Sequence, residues 1–479
     1  MRRSIPPFAA GLIAAGLFLA ASPPALAYGH QEPHPDPLQQ LQQLTAAQQS
    51  ALSSGDPSQI VSASRQLASL ALRLLGNLYA GEGKPGPSAE ALTRSWELAA
   101  DSAPDPATEI DTGLLLVTSN LTLGRPVVAA RIEQRLLRDA GDSSRLHLMI
   151  AGAHHAADDL AGTIAELTRA IALDPQGASA HLALGNAFWE LNEYGPNSDS
   201  LREFTEAQQG DPAGYLSNFN LGSVLSQLGH YPEAAPFLAK AAAADPASPD
   251  PWLQLGMNAY VGNHPAEALS ALEKCVALTG ADQARNSYQI RRVYAVLSRL
   301  YAEAGSDVEA RRLSIRAEEV HAQMLRSDVS STLSENTSSV TNNSPPRPKP
   351  PSALPGLATA PAPPSPPAQP ENLQLEQQLQ ALVANSLNDA GTALARNHDY
   401  AAALPLFREA SVADPTLSAA TRNLGLAAFH TGSYDEAITA LTRALEQNPT
   451  DTLARTDLDQ SLAALRNTHP PPSASPQKP

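Results

Sequence analysis

Residue pattern and composition predict an all-α fold, a solenoid of stacked helix pairs divided into two arrays by a proline-rich stretch. The segment YPEAAPFLAKAAAADP (231–246) recurs as LAGTIAELTRAIALDP (160–175), HPAEALSALEKCVALTG (264–280), DYAAALPLFREASVADP (399–415) and SYDEAITALTRALEQNP (434–449). Ahead of these copies lie helical patterns with a small residue in mid-face: Leu184-Gly185, Leu221-Gly222, Leu255-Gly256, Ala390-Gly391 and Leu424-Gly425. Gly222 to Gly256 is 34 residues and Gly391 to Gly425 is 34 again. The chain has 479 residues, 43% hydrophobic but only 5% aromatic, so its core is built mainly from Ala and Leu on closely packed helices.

Taken from the N-terminus, Arg2 and Arg3 precede an apolar run from Phe8 to Ala21, and Ala25-Leu26-Ala27 supplies a small-x-small cleavage pattern. Residues 1–27 therefore read as a cleaved secretory signal, which places the protein in the periplasm or outside the cell. The residue after the cleavage point is Tyr28, where a lipoprotein would need Cys. No later stretch has the roughly 18 apolar residues that a membrane span requires. Cys275 is the single cysteine, so no intrachain disulfide can form, and its place among small core residues predicts a buried, inert thiol.

Residues 28–143 read as a helical region with helices at 38–53 and 57–72. LLGNLYA (74–80) and LTRSWELAADSAP (92–104) suggest a degenerate pair split by a turn at 81–88. The main array spans 144–326, with copies at 144–177, 178–214, 215–248 and 249–282. Extra residues fall around YGPNSD (194–199), and an insertion at 283–290 precedes a degenerate pair at 291–325. Arg311, Arg312, Glu318 and Glu319 give that last pair a solvated capping face. Residues 327–370, Ser/Thr/Asn-rich and then Pro-dense, cannot bury a core and read as a disordered tether. A second array with a capping helix covers 371–467, with copies at 384–417 and 418–451, and 468–479 reads as a disordered tail. The tether predicts arrays that are linked but not necessarily docked.

The spacing has a steric cause. A mid-helix Gly and a small residue in the next helix (Ala234, Ala268, Ala403, Ala437) let two antiparallel helices approach closely, while Leu238, Leu272, Phe407 and Leu441 fill the space beside them. A terminal Pro stops the second helix. On these residues the chain resembles the tetratricopeptide repeat family: Trp252, Leu255, Gly256, Ala268 and Leu272 stand at its signature positions, though Gly280 replaces its terminal Pro. The resemblance implies a right-handed superhelical solenoid that binds a protein or peptide partner along its concave face. Projecting the family's groove positions gives Asn186, Trp189, Phe219, Ser223, Gln227, Leu253, Met257 and Tyr260 in the first array. In the second they are Asn388, Thr392, Arg396, Arg422, Leu426 and Phe429. The family's lysine-rich carboxylate clamp is not reproduced.

Motifs for catalysis are missing: there is no phosphate-binding Gly loop, no G-x-S-x-G, no H-E-x-x-H and no Cys-rich metal pattern. A non-catalytic scaffold without cofactor is the expectation. The formal charge of −16 argues against nucleic acid or anionic lipid as the main partner. Two metal readings arise. AHHAADD (153–159) spaces His154/Asp158 and His155/Asp159 four apart, but the acids fall in a predicted turn, where they serve as caps. Cleavage after Ala27 would start the chain Tyr28-Gly29-His30. Its amine, two backbone amides and imidazole suit square-planar Cu(II) or Ni(II), giving the alternative of a metal-handling exported protein.

Overall fold

The computed structural model describes residues 37–100, 106–191, 198–279, 287–337 and 370–468, and every regular element in them is an α-helix. They fall into two compact units. The first, residues 1–166 with 363–479, holds α1 (Pro37–Ser54), α2 (Pro57–Gly81), α3 (Pro85–Ala100), α4 (Pro106–Thr122), α5 (Pro126–Ala140) and α6 (Ser144–Ala156). The division falls within the next helix, α7 (Leu160–Leu173). The second unit, 167–362, continues with α8 (Ala178–Glu190), α9 (Asp199–Gly210), α10 (Tyr215–Gln227), α11 (Tyr231–Ala244), α12 (Asp250–Val261), α13 (Pro265–Thr279), α14 (Ser287–Glu303) and α15 (Asp307–Thr337). The first unit resumes with α16 (Pro370–Arg396), α17 (Tyr400–Ala413), α18 (Ser418–His430), α19 (Tyr434–Gln447) and α20 (Thr452–Thr468).

Each helix pair is closed by one contact. A Cβ built on Gly222 would lie 2.7 Å from Leu238 Cγ, and on Gly256 2.5 Å from Leu272 Cγ. The same holds for Gly391 against Phe407 (2.7 Å) and Gly425 against Leu441 (2.5 Å). No side chain fits in such gaps, so glycine there is a packing requirement. Gly76 repeats the contact on Leu92 at 2.5 Å, which makes α2 and α3 a pair in the same register. The turns agree: Gly83, Asp158, Gly229, Asn263, Gly305, His398 and Gly432 all take positive φ, each seven residues after the small position. Gly124 also takes positive φ, in the turn between α4 and α5, so paired helices begin well before residue 144.

Helix starts follow local chemistry. Asp56 accepts from Ser58 N at 2.9 Å ahead of Pro57, and Ser143, Ser198 and Asp399 cap α6, α9 and α17 in the same way. In α14, Ser298 stands at the small position and donates its hydroxyl to Ala310 O at 2.7 Å, so the pair closes through a hydrogen bond. Arg311, Arg312, Glu318 and Glu319 are exposed as the capping pattern requires. Cys275 is buried, and burial pushes its thiol up to about 11, which keeps it protonated and inert.

Three expectations change. Residues 57–81 form one helix in place of separate segments at 57–72 and 74–80, and α3 begins at Pro85, inside the expected turn. Residues 327–337 continue α15, where the sequence places the start of the tether; residues 338–369 lie outside the described residues. Most consequentially, the second array is docked. Leu379, Val383, Leu387 and Ala390 of α16 share one core with Leu67, Leu70, Leu72, Leu74 and Leu75 of α2, together with Leu406 and Ala410 of α17. Tyr79 reinforces it by donating its hydroxyl to Glu376 Oε1 at 2.8 Å. The cause is apolar area: α2 is buried on more than one side, and the first half of α16 adds an apolar stripe ahead of the repeat.

Candidate functional site

The first helices of successive pairs carry the expected groove residues, and their amides tie neighbouring pairs together. In the second unit Asn220 Nδ2 donates to Asn186 Oδ1 at 3.0 Å, across 34 residues of sequence. Asn258 Nδ2 donates to Ser226 Oγ at 2.6 Å one step further on. Trp189 is half-buried with its ring 6.3 Å from Phe204, and Phe219 stacks on Tyr215 at 5.6 Å. Leu253, Met257 and Tyr260 pack against the core of α13 to α15, and the Tyr260 hydroxyl accepts from Arg299 Nη1 at 2.8 Å. Ser223 is half-buried and its hydroxyl finds no partner, while Gln227 is exposed. These side chains are thus partly structural: Asn258 and Ser226 are buried, Asn186 and Asn220 are half-buried, and Gln227 is exposed.

In the C-terminal array a comparable amide row borders a pocket. Asn423 Nδ2 donates to Asn388 Oδ1 at 2.9 Å and approaches Thr392 Oγ1 at 3.4 Å. Thr392, Ala395, Arg396, Tyr400, Phe407, Asn423, Leu426 and Ala427 line the pocket, joining expected groove residues to the unexpected Tyr400 and Asn423. Tyr400 is held by stacking on His430 at 3.9 Å, and Phe429 packs against the core of α19 and α20. Arg396 is exposed at the rim and enters no ion pair among the described residues. Arg422 is engaged by Asp451 at 3.5 Å, so of the two expected cations it is the less available. Burial pushes the neighbouring Asp457 carboxyl above its ordinary value, against the pull of Arg422 and His430. An apolar pocket with a few convergent polar groups and one unpaired guanidinium suits a polypeptide segment that carries a carboxylate.

Three histidines, of which the sequence pattern leaves His147 and His181 unmarked, are each held at both ring nitrogens. His147 lies 2.6 Å from Glu166 Oε2 and 2.8 Å from Asp142 Oδ1. In the second unit His181 lies 2.7 Å from Glu203 Oε2 and 3.2 Å from Pro175 O. The signal was in the sequence: the two His–Glu pairs sit at one repeat position, His147 and His181 being 34 apart. His154 meets Asp159 at 2.8 Å and Glu133 at 3.0 Å, not its neighbour Asp158, which makes the left-handed turn. Burial opposes its charge, but the two carboxylates outweigh burial and hold His154 above its ordinary 6.5. The AHHAADD segment is therefore a turn anchored by ion pairs, and no group of three metal-ligating side chains occurs among the described residues. Tyr28, Gly29 and His30 lie outside the described residues.

Paired antiparallel helices, most of them closed by a residue packed on glycine, define a helical-repeat architecture. Residues 197–249 and 388–452 match the tetratricopeptide repeat model, so these two segments carry tetratricopeptide repeats. No curated protein matches it. Solved structures similar to it include a crystal structure of MamA, 19% identical with a TM-score of 0.33, the match covering 37% of this chain and 97% of that one. Residues 41 to the end of MamA from Desulfovibrio magneticus RS-1 are 17% identical with a TM-score of 0.34, covering 38% and 97%. A tetratricopeptide repeat protein from Parabacteroides merdae ATCC 43184 is 11% identical with a TM-score of 0.33, covering 67% and 100%. At these scores the likenesses carry nothing further. No helix among the described residues is long and apolar enough to cross a membrane.

Proposed function

We propose that this protein is a non-catalytic scaffold of the cell envelope, exported by its N-terminal signal, that holds a protein or peptide partner against the groove of its C-terminal array. The observation that carries this reading is the pocket bordered by Thr392, Asn423 and the unpaired Arg396, with an apolar floor of Phe407, Leu426 and Ala427. Backbone amides of an extended segment would pair with the Asn row, an apolar side chain would enter the pocket, and Arg396 would take a carboxylate. The reach of a tethered second array is replaced by fixed placement, because α16 is packed on α2. A fixed groove binds with less ordering cost than a mobile one.

The test is capture from native envelope on immobilised full-length protein, beside an Arg396→Glu/Thr392→Arg variant of equal helicity and melting temperature. A protein retained by the unaltered chain and lost from the variant supports the groove. Identical retention would move binding elsewhere. Export is tested separately, by fractionation and N-terminal sequencing, with Tyr28 the expected first residue.

A further inference from the structure

The contact that docks the C-terminal array is largely apolar; besides Glu376, which accepts from Tyr79, it carries carboxylates at two further places. Asp389 of α16 sits one turn before Ala393, which packs with Ala51 and Ile60 of α1 and α2. Its Oδ2 lies 3.5 Å from Gln48 Nε2, the limit of a hydrogen bond, while the same amide group also donates to Ser64 Oγ at 3.0 Å. Beside the second place, Ala410 of α17 joins the shared core with Ala91 and Leu98 of α3. There Glu409 lies 3.6 Å from Arg94 Nε, while Arg94 also serves Glu90 at 3.1 Å and Glu97 adds a like charge. Neither carboxylate is given a close, undivided cation by the helices that cover it.

We propose that docking of the C-terminal array on the N-terminal helices is an acid-closed latch, in which neutral Asp389 and Glu409 hold the array in place and their ionisation loosens it. The charged groups around it are few. Asp389 feels Arg396 on its own helix and meets the neutral Gln48 opposite, which also donates to Ser64. Glu409 meets Arg94 and the like charge of Glu97 on α3, and Arg94 is shared with Glu90. Further along, Tyr79 bonds Glu376, and Lys84 pairs with Glu82 at 2.8 Å.

Burial raises Asp389 from its ordinary 3.8 to about 6 and raises Glu409 in the same direction, burial being the first cause in each case and Arg396 or Arg94 opposing it. The docked state therefore binds more protons than the undocked one. Docking is strongest below the ordinary carboxylate value and weakens as pH rises through the docked one. Between pH 5 and pH 8 Asp389 alone accounts for a change on the order of tenfold in the docking equilibrium.

The experiment uses the full chain with a specific protease site placed after Gly356, cut while folded. Dissociation of the nicked fragments is followed by dilution on gel filtration at pH 5 and pH 8. We expect association at least tenfold tighter at pH 5, and an Asp389→Asn/Glu409→Gln variant that is tight at both. Equal association of the unaltered protein at the two pH values overturns the latch. So does a variant that keeps the unaltered pH response, or fragments that never associate. Each single variant, checked for native helicity, should remove part of the response; if neither does, the carboxylates are not its source.

Discussion

Glycine at the small positions is the residue on which each repeat closes. At Gly256 an added Cβ would lie within 2.5 Å of Leu272 Cγ and 3.1 Å of its backbone nitrogen, so rotation of the leucine alone does not make room. Gly256→Ala should cost about 1–3 kcal/mol by overpacking, read from urea unfolding, and an unchanged midpoint would contradict the register. His398, at φ 61, works the other way. His398→Gly should stabilise by roughly 0.5–1 kcal/mol, because a Cβ in the left-handed region is strained, and a loss would show that its side chain matters more than its backbone. His154 gives a pH signature. Its folded value lies above 6.5, so its contribution is complete below 6.5 and is lost as pH rises through the folded value. The melting temperature of the unaltered protein should thus fall more between pH 6 and pH 8.5 than that of His154→Gln, and parallel curves would show that His154 is not charged.

At the scale of elements, the helix pairs are legible in the sequence because their period is local: one glycine, one leucine or phenylalanine sixteen residues on, and one turn. The pair before residue 144 is harder to see. Its 25-residue α2 runs through the expected break, and α3 starts with Pro85 inside what composition marks as a turn. Docking of α16 on α2 joins segments some 300 residues apart, which no local pattern specifies. Two signals do point to it. Leu375, Leu379 and Val383 make a four-residue stripe ahead of the first repeat, and α2 is apolar around more than one face. Leu379 separates the alternatives, since it precedes the repeat at 384–417 yet is 2% exposed. Leu379→Ala should cost about 2–4 kcal/mol if α16 is docked, whereas on a free helical extension it would cost almost nothing. In the site, the groove positions come from the repeat pattern, but Tyr400 and Asn423 become visible only once the pocket has walls.

Across the whole molecule, the first unit is built from the two ends of the chain, and the pocket-bearing array belongs to it. The central claim is that this array is a fixed part of the scaffold. Hydrogen exchange on the intact protein tests it most directly, because an undocked extension and a docked helix differ by orders of magnitude in protection. Amides of residues 375–390 and 67–75 should exchange together and as slowly as the repeat cores. Fast exchange through residues 375–383, beside slow exchange in 384–451, would contradict the account and restore a tethered, independent second array.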